Sequence, residues 1–250
     1  MHLKHVQFDF DQNKAGFERS GNDLTVKVDG GGSAVLQDFF AVGDQPLPIF
    51  IKVDGAQVAS GELLDQIEST SGFLKRAGGG VTISGGEPLA QPKFMASIFR
   101  GCKEMKLHTA LDTTGYLGKK ISDDQLADID LVLLDIKSFE PETYRRVCGV
   151  DLQPTLDFAR RLESLGRKMW IRFVLVPGLT DAPSNVEGLA DFAASLKMVE
   201  RVEVAPFHKL GEFKWQELRM RYELAATEPP TTESLLEVRR QFSSRGLTVV

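Results

Sequence analysis

The sequence predicts an α/β protein, in which a parallel sheet or barrel is covered by helices and preceded by a small antiparallel β segment. Two observations carry this prediction. From about residue 61 to the C-terminus, strand-like and helix-like segments alternate, and several strand-like runs are apolar on both faces, as strands of a helix-covered parallel sheet must be. Before residue 61, the chain contains short runs of alternating polarity separated by turn-forming clusters.

The N-terminal β segment is predicted from residues 20–55. Three runs, LTVKV, AVLQDFF and IFIKV, are separated by turn clusters at residues 29–33 and 43–48. Such a pattern is typical of an antiparallel meander or hairpin. We therefore assign residues 1–60 to a β-rich N-terminal segment and residues 61–250 to the α/β domain.

The α/β domain begins where the apolar period changes from two to that of a helix. An amphipathic helix is predicted from about Gly61 to the glycine run at residues 78–80. Six strands are predicted after it: VTIS (81–84), LHTALD (107–112), LVLLDIK (131–137), MWIRFVLV (169–176), VEVAP (202–206) and LTVV (247–250). The helices between them have recognisable features: Pro92 in a first turn, capping-box spacing of Ser122 with Gln125 and of Ser184 with Glu187, and an apolar stripe formed by Leu156, Phe158, Ala159 and Leu162.

Composition and charge limit the functional classes. Thirty Lys and Arg residues against 35 Asp and Glu residues give a net charge of -5, which argues against nucleic acid as the main partner. No uninterrupted apolar run approaches the roughly 18 residues that a membrane helix needs, and the start, MHLKHVQFDFDQ, lacks the apolar core of a signal peptide. We therefore expect a cytoplasmic protein with no membrane partner. The two cysteines, Cys102 and Cys148, are too distant in sequence for a metal-ligand cluster or a disulfide framework, and we expect buried thiols.

Polar residues recur where the predicted strands end. They are Ser84, Gly85, Gly86 and Glu87 after the first, Asp112 and Thr113 after the second, Asp135 and Lys137 at the third, Arg172 within the fourth and His208 after the fifth. Each has a structural alternative, such as a tight turn for the glycine pair or an Asx-turn for the aspartate before Thr-Thr-Gly. The carboxyl ends of parallel strands line the ligand site of such folds, so the recurrence favours a binding site.

Six motifs in unbroken order carry a family resemblance. The run GGGVTISGGEPLAQPKF, followed by LHTALDTTGY, LVLLDIK, YRRVCGV, MWIRFVLVPGLTD and VEVAPFHKLGEFKWQEL, resembles the pyruvate formate-lyase activating enzymes, which are glycyl-radical activases of the radical S-adenosylmethionine (SAM) superfamily. The resemblance covers about residues 58–250. It implies an incomplete parallel (β/α) barrel of radical-SAM type. It also implies an oxidoreductase that abstracts a hydrogen from a glycine of a partner such as formate acetyltransferase, with flavodoxin or ferredoxin as electron donor.

The resemblance also implies two sets of site residues. The positions that match the family's SAM site are Gly85, Gly86, Glu87, Asp135, Ile136, Lys137, Arg172 and His208. The first three form a GGE motif whose backbone binds the methionine amino group. The next three form a DxK segment at the same cofactor, and the last two lie near the methionine carboxylate and the nucleoside. A monovalent-cation site beside SAM corresponds to Asp112, Thr113, Asp135 and the Leu133 carbonyl.

The motif that defines radical SAM enzymes, C-x-x-x-C-x-x-C, is absent. In the family it follows the first barrel strand and holds a four-iron four-sulfur cluster, whereas residues 1–60 contain no cysteine. Neither Cys102 nor Cys148 belongs to such a motif, and His2 and His5 cannot supply three ligands. The sequence therefore predicts no iron-sulfur site, and with it no radical chemistry in this chain.

The segment in place of that motif has a resemblance of its own. Residues 17–65, with GNDL, VDGGG, LQDFF and LPIFIKVDG, are similar to β-rich modules of type I secreted repeats-in-toxin adhesins. The two resemblances together predict a chimera joined between Asp54 and Ser69. Three functions stay open at this point: an activase, a derivative without a cluster that binds SAM or a partner, and a recombined product with an interaction module and a passive barrel.

Overall fold

The computed structural model describes residues 58–210, 212, 219 and 221–250, together with the backbone of three N-terminal strands. Contacts divide the chain into two compact units. One unit comprises Met1–Ile83 with Lys93–Ala110, and the other comprises Ser84–Pro92 with Leu111–Val250. The predicted domain boundary at residue 60 and the predicted join between Asp54 and Ser69 stay predictions.

The N-terminal strands form an antiparallel meander. Strands β1 (Ala15–Ser20), β2 (Asp23–Val28) and β3 (Gly32–Leu36) lie in the order β1-β2-β3, with Ala15 opposite Val28 and Val28 opposite Gly32. The run LTVKV lies in β2, and the first three residues of AVLQDFF form the end of β3, which confirms the antiparallel segment. Strand β1 was not predicted, because its sequence AGFERS has little alternation. The third run, IFIKV, lies outside the described residues, as do His2 and His5.

The main sheet has five strands in the order β4-β5-β6-β7-β8. These are β4 (Gly80–Ile83), β5 (His108–Thr113), β6 (Leu131–Asp135), β7 (Met169–Leu175) and β8 (Val199–Pro206). Strand β6 pairs with β7, and β7 with β8, in parallel. The predicted sixth strand, residues 247–250, pairs with β8 in parallel through one bridge, between Val202 and Val249. Three backbone hydrogen bonds accompany this bridge: from the Val202 amide to the Thr248 carbonyl at 2.8 Å, from the Val204 amide to the Val250 carbonyl at 3.0 Å, and from the Val250 amide to the Val202 carbonyl at 3.1 Å. The pairing is thus as predicted, although the segment is too short to count as a sixth strand of the sheet.

Seven described α-helices accompany the sheet: α1 (Ser60–Arg76), α2 (Pro92–Glu104), α3 (Asp123–Ala127), α4 (Pro141–Cys148), α5 (Gln153–Ser164), α6 (Pro183–Ala194) and α7 (Thr232–Ser243). The capping box of Ser122 and Gln125 is confirmed at α3, and Pro92 begins α2 as predicted. The capping box of Ser184 and Glu187 was wrong. The N-cap of α6 is Ala182, two residues before Ser184, and the Ser184 hydroxyl donates instead to Glu140 Oε1 at 2.6 Å. Among the described residues, no helix has the length and apolar character needed to cross a membrane.

Each unit has its own apolar core. In the first, Leu63, Ile67 and Leu74 of α1 pack with Ile98, Cys102 and Leu107. In the second, β7 presents alternate residues to its two faces: Met169, Ile171, Phe173 and Leu175 are buried, whereas Trp170, Arg172 and Val174 are half-buried. Phe173 packs on Phe242 of α7, with ring centroids 6.2 Å apart. Helices thus cover one face of β7, and the other face carries the polar side chains described next.

Candidate functional site

A row of charged side chains lies on the less buried face of β6, β7 and β8. The parallel register places Asp135 beside Arg172, and Arg172 beside Glu203. The Arg172 guanidinium lies 2.8 Å from Asp112 Oδ2, 3.8 Å from Asp135 Oδ1 and 3.5 Å from Glu203 Oε2. One cation therefore lies among three carboxylates, which come from three different strands.

The environment of Arg172 favours its charged form. Its side chain is half-buried, and burial alone would disfavour the charge. The carboxylates of Asp135, Asp112 and Glu203 outweigh that effect and raise the pKa of the guanidinium above its ordinary value. Arg172 is therefore held in place as a cation before any ligand arrives.

Two further cations complete the network. Lys137 Nζ lies 2.6 Å from Asp135 Oδ2, and Arg201 Nη2 lies 3.0 Å from Glu203 Oε1. The network of Asp112, Asp135 and Glu203 with Arg172, Lys137 and Arg201, called the ion network below, thus contains three negative and three positive groups. It can exchange partners with a ligand that carries both an ammonium and a carboxylate, since both signs of charge are present and oriented.

The loop after β4 borders this network. Gly85 and Gly86 have φ angles of +90° and +49°, in the left-handed region that residues other than glycine rarely adopt. The Ser84 hydroxyl, just before them, donates to Asp112 Oδ2 at 2.8 Å. Both glycines are exposed, so their backbone groups are accessible to a ligand.

Glu87 closes the same loop through hydrogen bonds to the protein. Its Oε1 accepts from the Leu89 amide at 3.0 Å and from the Thr113 hydroxyl at 2.6 Å. Its Oε2 accepts from the Thr114 amide at 3.0 Å and from the Thr114 hydroxyl at 2.7 Å. The carboxylate therefore joins the glycine loop to the turn that follows β5.

Comparison with known proteins places this fold and this pattern of residues in a family. A sequence model of the radical SAM superfamily matches residues 58–193. The chain is 36% identical over 198 residues to the pyruvate formate-lyase 1-activating enzyme of Escherichia coli (strain K12), and the aligned region covers 78% of this chain and 80% of that enzyme. It is 41% identical over 174 residues to the pyruvate formate-lyase-activating enzyme of Clostridium pasteurianum, covering 70% and 73% of the two chains. The chain belongs to the pyruvate formate-lyase activating enzymes of the radical SAM superfamily.

Solved structures agree with this family and with the incomplete barrel. A domain of a pyruvate-formate lyase-activating enzyme from Bacteroides vulgatus is 27% identical, with a TM-score of 0.58, over 69% of this chain and 98% of that one. A radical SAM methyltransferase from Sphaerobacter thermophilus, 15% identical, shares the fold with a TM-score of 0.60 over 95% and 76% of the two chains. The family and the partial barrel predicted from sequence are confirmed, while the adhesin resemblance stays a prediction.

The residues that the activating-enzyme pattern assigns to SAM and a cation fall into separate groups. Asp112, Asp135, Lys137 and Arg172 meet in the ion network, whereas Thr113 is 3% exposed and hydrogen-bonded to Glu87. The remaining positions lie apart from the network's contacts: Ile136 is buried, with its amide donating to the Arg172 carbonyl at 3.1 Å, the Leu133 side chain is half-buried, and His208 is exposed. Their roles as SAM or cation ligands stay predictions.

Sequence reasoning missed part of the site. Glu203 and Arg201 belong to the ion network, and the Arg201 guanidinium also stacks 3.2 Å from the ring centroid of Trp170. The alternation of charge in RVEV, two residues apart on one face of β8, was the signal that could have identified both. Thr114 was also missed, because nothing in its local sequence shows that its hydroxyl meets Glu87.

The cysteines do not fit the family's cluster. Cys102 lies in the core of its unit, where burial raises the pKa of its thiol to about 11. Cys148 is half-buried at the end of α4, and burial also raises the pKa of its thiol, against the opposing effect of a hydrogen bond with Tyr144. Iron-sulfur ligation needs thiolates, and the chain has only these two cysteines. Within residues 58–210, 212, 219 and 221–250, no group of three or more His, Cys, Asp or Glu side chains is arranged to hold a metal ion.

Proposed function

We propose that this chain keeps the SAM-binding function of the activating enzymes without their reductive chemistry. The observation that carries the proposal is the ion network, which gathers cations and carboxylates on one face of the sheet, next to the carboxyl ends of β5 and β6. Parallel α/β folds bind ligands at such ends. When bound, SAM supplies an activated sulfonium and the paired charges of its methionine end.

The donor set of the site matches that methionine end. Its carboxylate needs cations, which Arg172 and Lys137 provide, and its ammonium needs carboxylate or carbonyl oxygens, which Asp112, Asp135 and the Gly86 backbone provide. The exposed His208 is then the residue for the nucleoside. We assign the monovalent cation to the carboxylates of Asp112 and Asp135 and the carbonyl of Leu133 rather than to the Thr113 hydroxyl, which already donates to Glu87.

The proposed protein partner is a glycyl-radical enzyme. Relatives that cover most of this chain are named for pyruvate formate-lyase. Binding of that enzyme needs a matching surface, which can persist where reductive cleavage of SAM does not. An electron donor such as flavodoxin or ferredoxin stays a prediction from the resemblance.

The affinity for SAM follows from the contacts that this chain can make by itself. Each charge-assisted hydrogen bond contributes about 1.5 to 3 kcal/mol, against an association cost of about 4 kcal/mol or more. A ligand must also displace the internal partners of Arg172 and Lys137. We therefore expect a dissociation constant no tighter than about 10⁻⁴ M, which corresponds to a binding free energy no more favourable than about -5.5 kcal/mol.

Two measurements test the proposal. Anaerobic reconstitution with iron and sulfide is expected to give no stoichiometric cluster, and no 5'-deoxyadenosine from SAM under reductant. Calorimetric titration is expected to show weak SAM binding that Arg172→Ala reduces further, while Arg240→Ala, which removes an exposed arginine of α7 paired with Glu237, leaves it unchanged.

The outcomes separate the three functions. Cluster formation with turnover of SAM would return the chain to the active activases. No SAM binding by the unmodified chain would favour the passive barrel of a recombined product. Equal affinity in Arg172→Ala and the unmodified chain would place bound SAM elsewhere.

A further inference from the structure

We propose that the Glu87 side chain is a positioning residue, which fixes the Gly85–Gly86 backbone against the end of β5 and does not itself contact the ligand. This inference rests on the proposed SAM site. The family resemblance implied only the backbone of Glu87 in binding, whereas we assign to its side chain the rigidity of the glycine loop. The brace consists of Glu87, Thr113 and Thr114.

The first argument is the saturation of the carboxylate. An ionised carboxylate has about four lone-pair sites. In Glu87 the four donors are the Leu89 amide, the Thr113 hydroxyl, and the amide and hydroxyl of Thr114, at 2.6 to 3.0 Å. A ligand ammonium would have to replace one of these donors, so the side chain serves the loop rather than the ligand.

The second argument is that the brace is attached to a fixed part of its unit. The Thr113 hydroxyl, while donating to Glu87, accepts from the Gly115 amide at 2.9 Å. The Thr114 carbonyl accepts from the Thr155 hydroxyl at 2.9 Å, and Tyr144 and Thr155 share a hydrogen bond of 2.8 Å. Thr155 and Tyr144 are both fully buried, on α5 and α4. The turn after β5 is therefore hydrogen-bonded to buried side chains of α5 and α4.

The third argument is that the glycine loop has few contacts of its own to hold it. A Cβ placed on Gly85 or on Gly86 would meet no atom within 4 Å, and both residues are exposed. Two side chains flanking the glycines attach the loop by hydrogen bonds: Ser84, which precedes them in sequence, to Asp112, and Glu87, which follows them, to the turn after β5. Ser84 is exposed, so its single hydrogen bond competes with water. The Glu87 brace is the stronger of the two attachments.

The test uses Glu87→Gln, which keeps size and shape but places an amide NH₂ opposite donors of the turn. Its matched control is Glu237→Gln, on the exposed face of α7. Two ligands are titrated: SAM, and 5'-methylthioadenosine, which lacks the methionine ammonium and carboxylate. We expect Glu87→Gln to weaken SAM about tenfold, because the loop no longer presents its backbone in one geometry, and to change 5'-methylthioadenosine less than about twofold.

A second variant and a second readout keep the test decisive. Thr114→Val removes one donor of the brace, and its effect on SAM affinity should not add to that of Glu87→Gln if both act through one contact. Hydrogen exchange of residues 84–90, measured without ligand, should accelerate in both variants and not in Glu237→Gln.

Each outcome decides the inference. Unchanged SAM affinity in Glu87→Gln, or equal weakening of both ligands, would overturn it. Absence of SAM binding in the unmodified chain would refute the proposed function, and the brace would then be judged by exchange alone. Unaltered exchange of residues 84–90 in Glu87→Gln would refute the brace itself.

Discussion

Asn185 offers the sharpest test of how the loop after β6 is held. This residue of α6 is fully buried, and its Oδ1 accepts from the Ser138 hydroxyl at 2.7 Å and from the amides of Phe139 and Glu140 at 2.6 and 3.1 Å. Its Nδ2 donates to the Thr180 carbonyl at 2.6 Å. A single amide thus connects α6 to the segment that directly follows Lys137.

The cost of Asn185→Ala can be worked out from these bonds. The Glu140 amide keeps a second acceptor, the Ser138 hydroxyl at 3.1 Å, and that hydroxyl keeps the Glu140 carbonyl at 3.3 Å. Among the bonds just described, the Phe139 amide and the Thr180 carbonyl each lose the partner that Asn185 supplied. A buried polar group left unsatisfied costs about 1 to 3 kcal/mol, so for two such groups we expect a loss of about 2 to 6 kcal/mol in the free energy of unfolding.

Urea denaturation measures this loss through the midpoint at an unchanged slope. The matched control is Gln153→Ala, which removes an exposed hydrogen bond from Gln153 to Asp157 and should change stability by less than about 0.5 kcal/mol. If Asn185→Ala costs no more than this control, the loop after β6 is held by other contacts and the reasoning fails.

Three further predictions concern packing, pH and the predicted join. Gly80→Ala should lower the free energy of unfolding by about 1 to 3 kcal/mol, because the new Cβ would lie 2.1 Å from the His108 carbonyl oxygen. The control, Gly61→Ala, places its Cβ where no atom lies within 4 Å and should not be destabilised; thermal unfolding of the two variants measures the difference. Burial raises the pKa of Cys102 from 9.0 to about 11, so above pH 9 the unfolded chain loses this proton first. Stability should then fall by up to about 1.4 kcal/mol per pH unit until pH 11, and denaturation of Cys102→Ala should show a shallower fall. Limited proteolysis should cut between Asp54 and Ser69 more readily than within the strands from Val81 onward, and uniform resistance would count against a chimera.

Much of the α/β part was predictable because its signals are local. The alternation of strand-like and helix-like segments identified the five strands of the sheet. The rule that ligand sites lie near the carboxyl ends of parallel strands selected Asp112, Asp135 and Arg172, and the register of β6 and β7 places Asp135 beside Arg172. Pro92 and the Ser122 capping box marked helix starts, since these interactions lie within one turn.

The errors share a different cause, which is dependence on partners distant in sequence. Ser184 has capping-box spacing, yet Glu140, 44 residues earlier, takes its hydroxyl. Glu203 enters the site only because the register of β7 and β8 places it beside Arg172. The pairing of Glu87 with Thr114 likewise depends on how the end of β5 turns, which spacing along the chain does not specify.

The ion network has a consequence for how fast, and under what conditions, a ligand reaches the strand ends. Three positive and three negative groups within contact of one another largely cancel at distances beyond the Debye length of about 8 Å in physiological salt. Such a site projects little field into solvent, so approaching molecules are not steered to it and encounter it at an unassisted rate. Added salt should therefore leave the association rate nearly constant, and selection among ligands should occur after arrival, when an incoming charge exchanges places with an internal one.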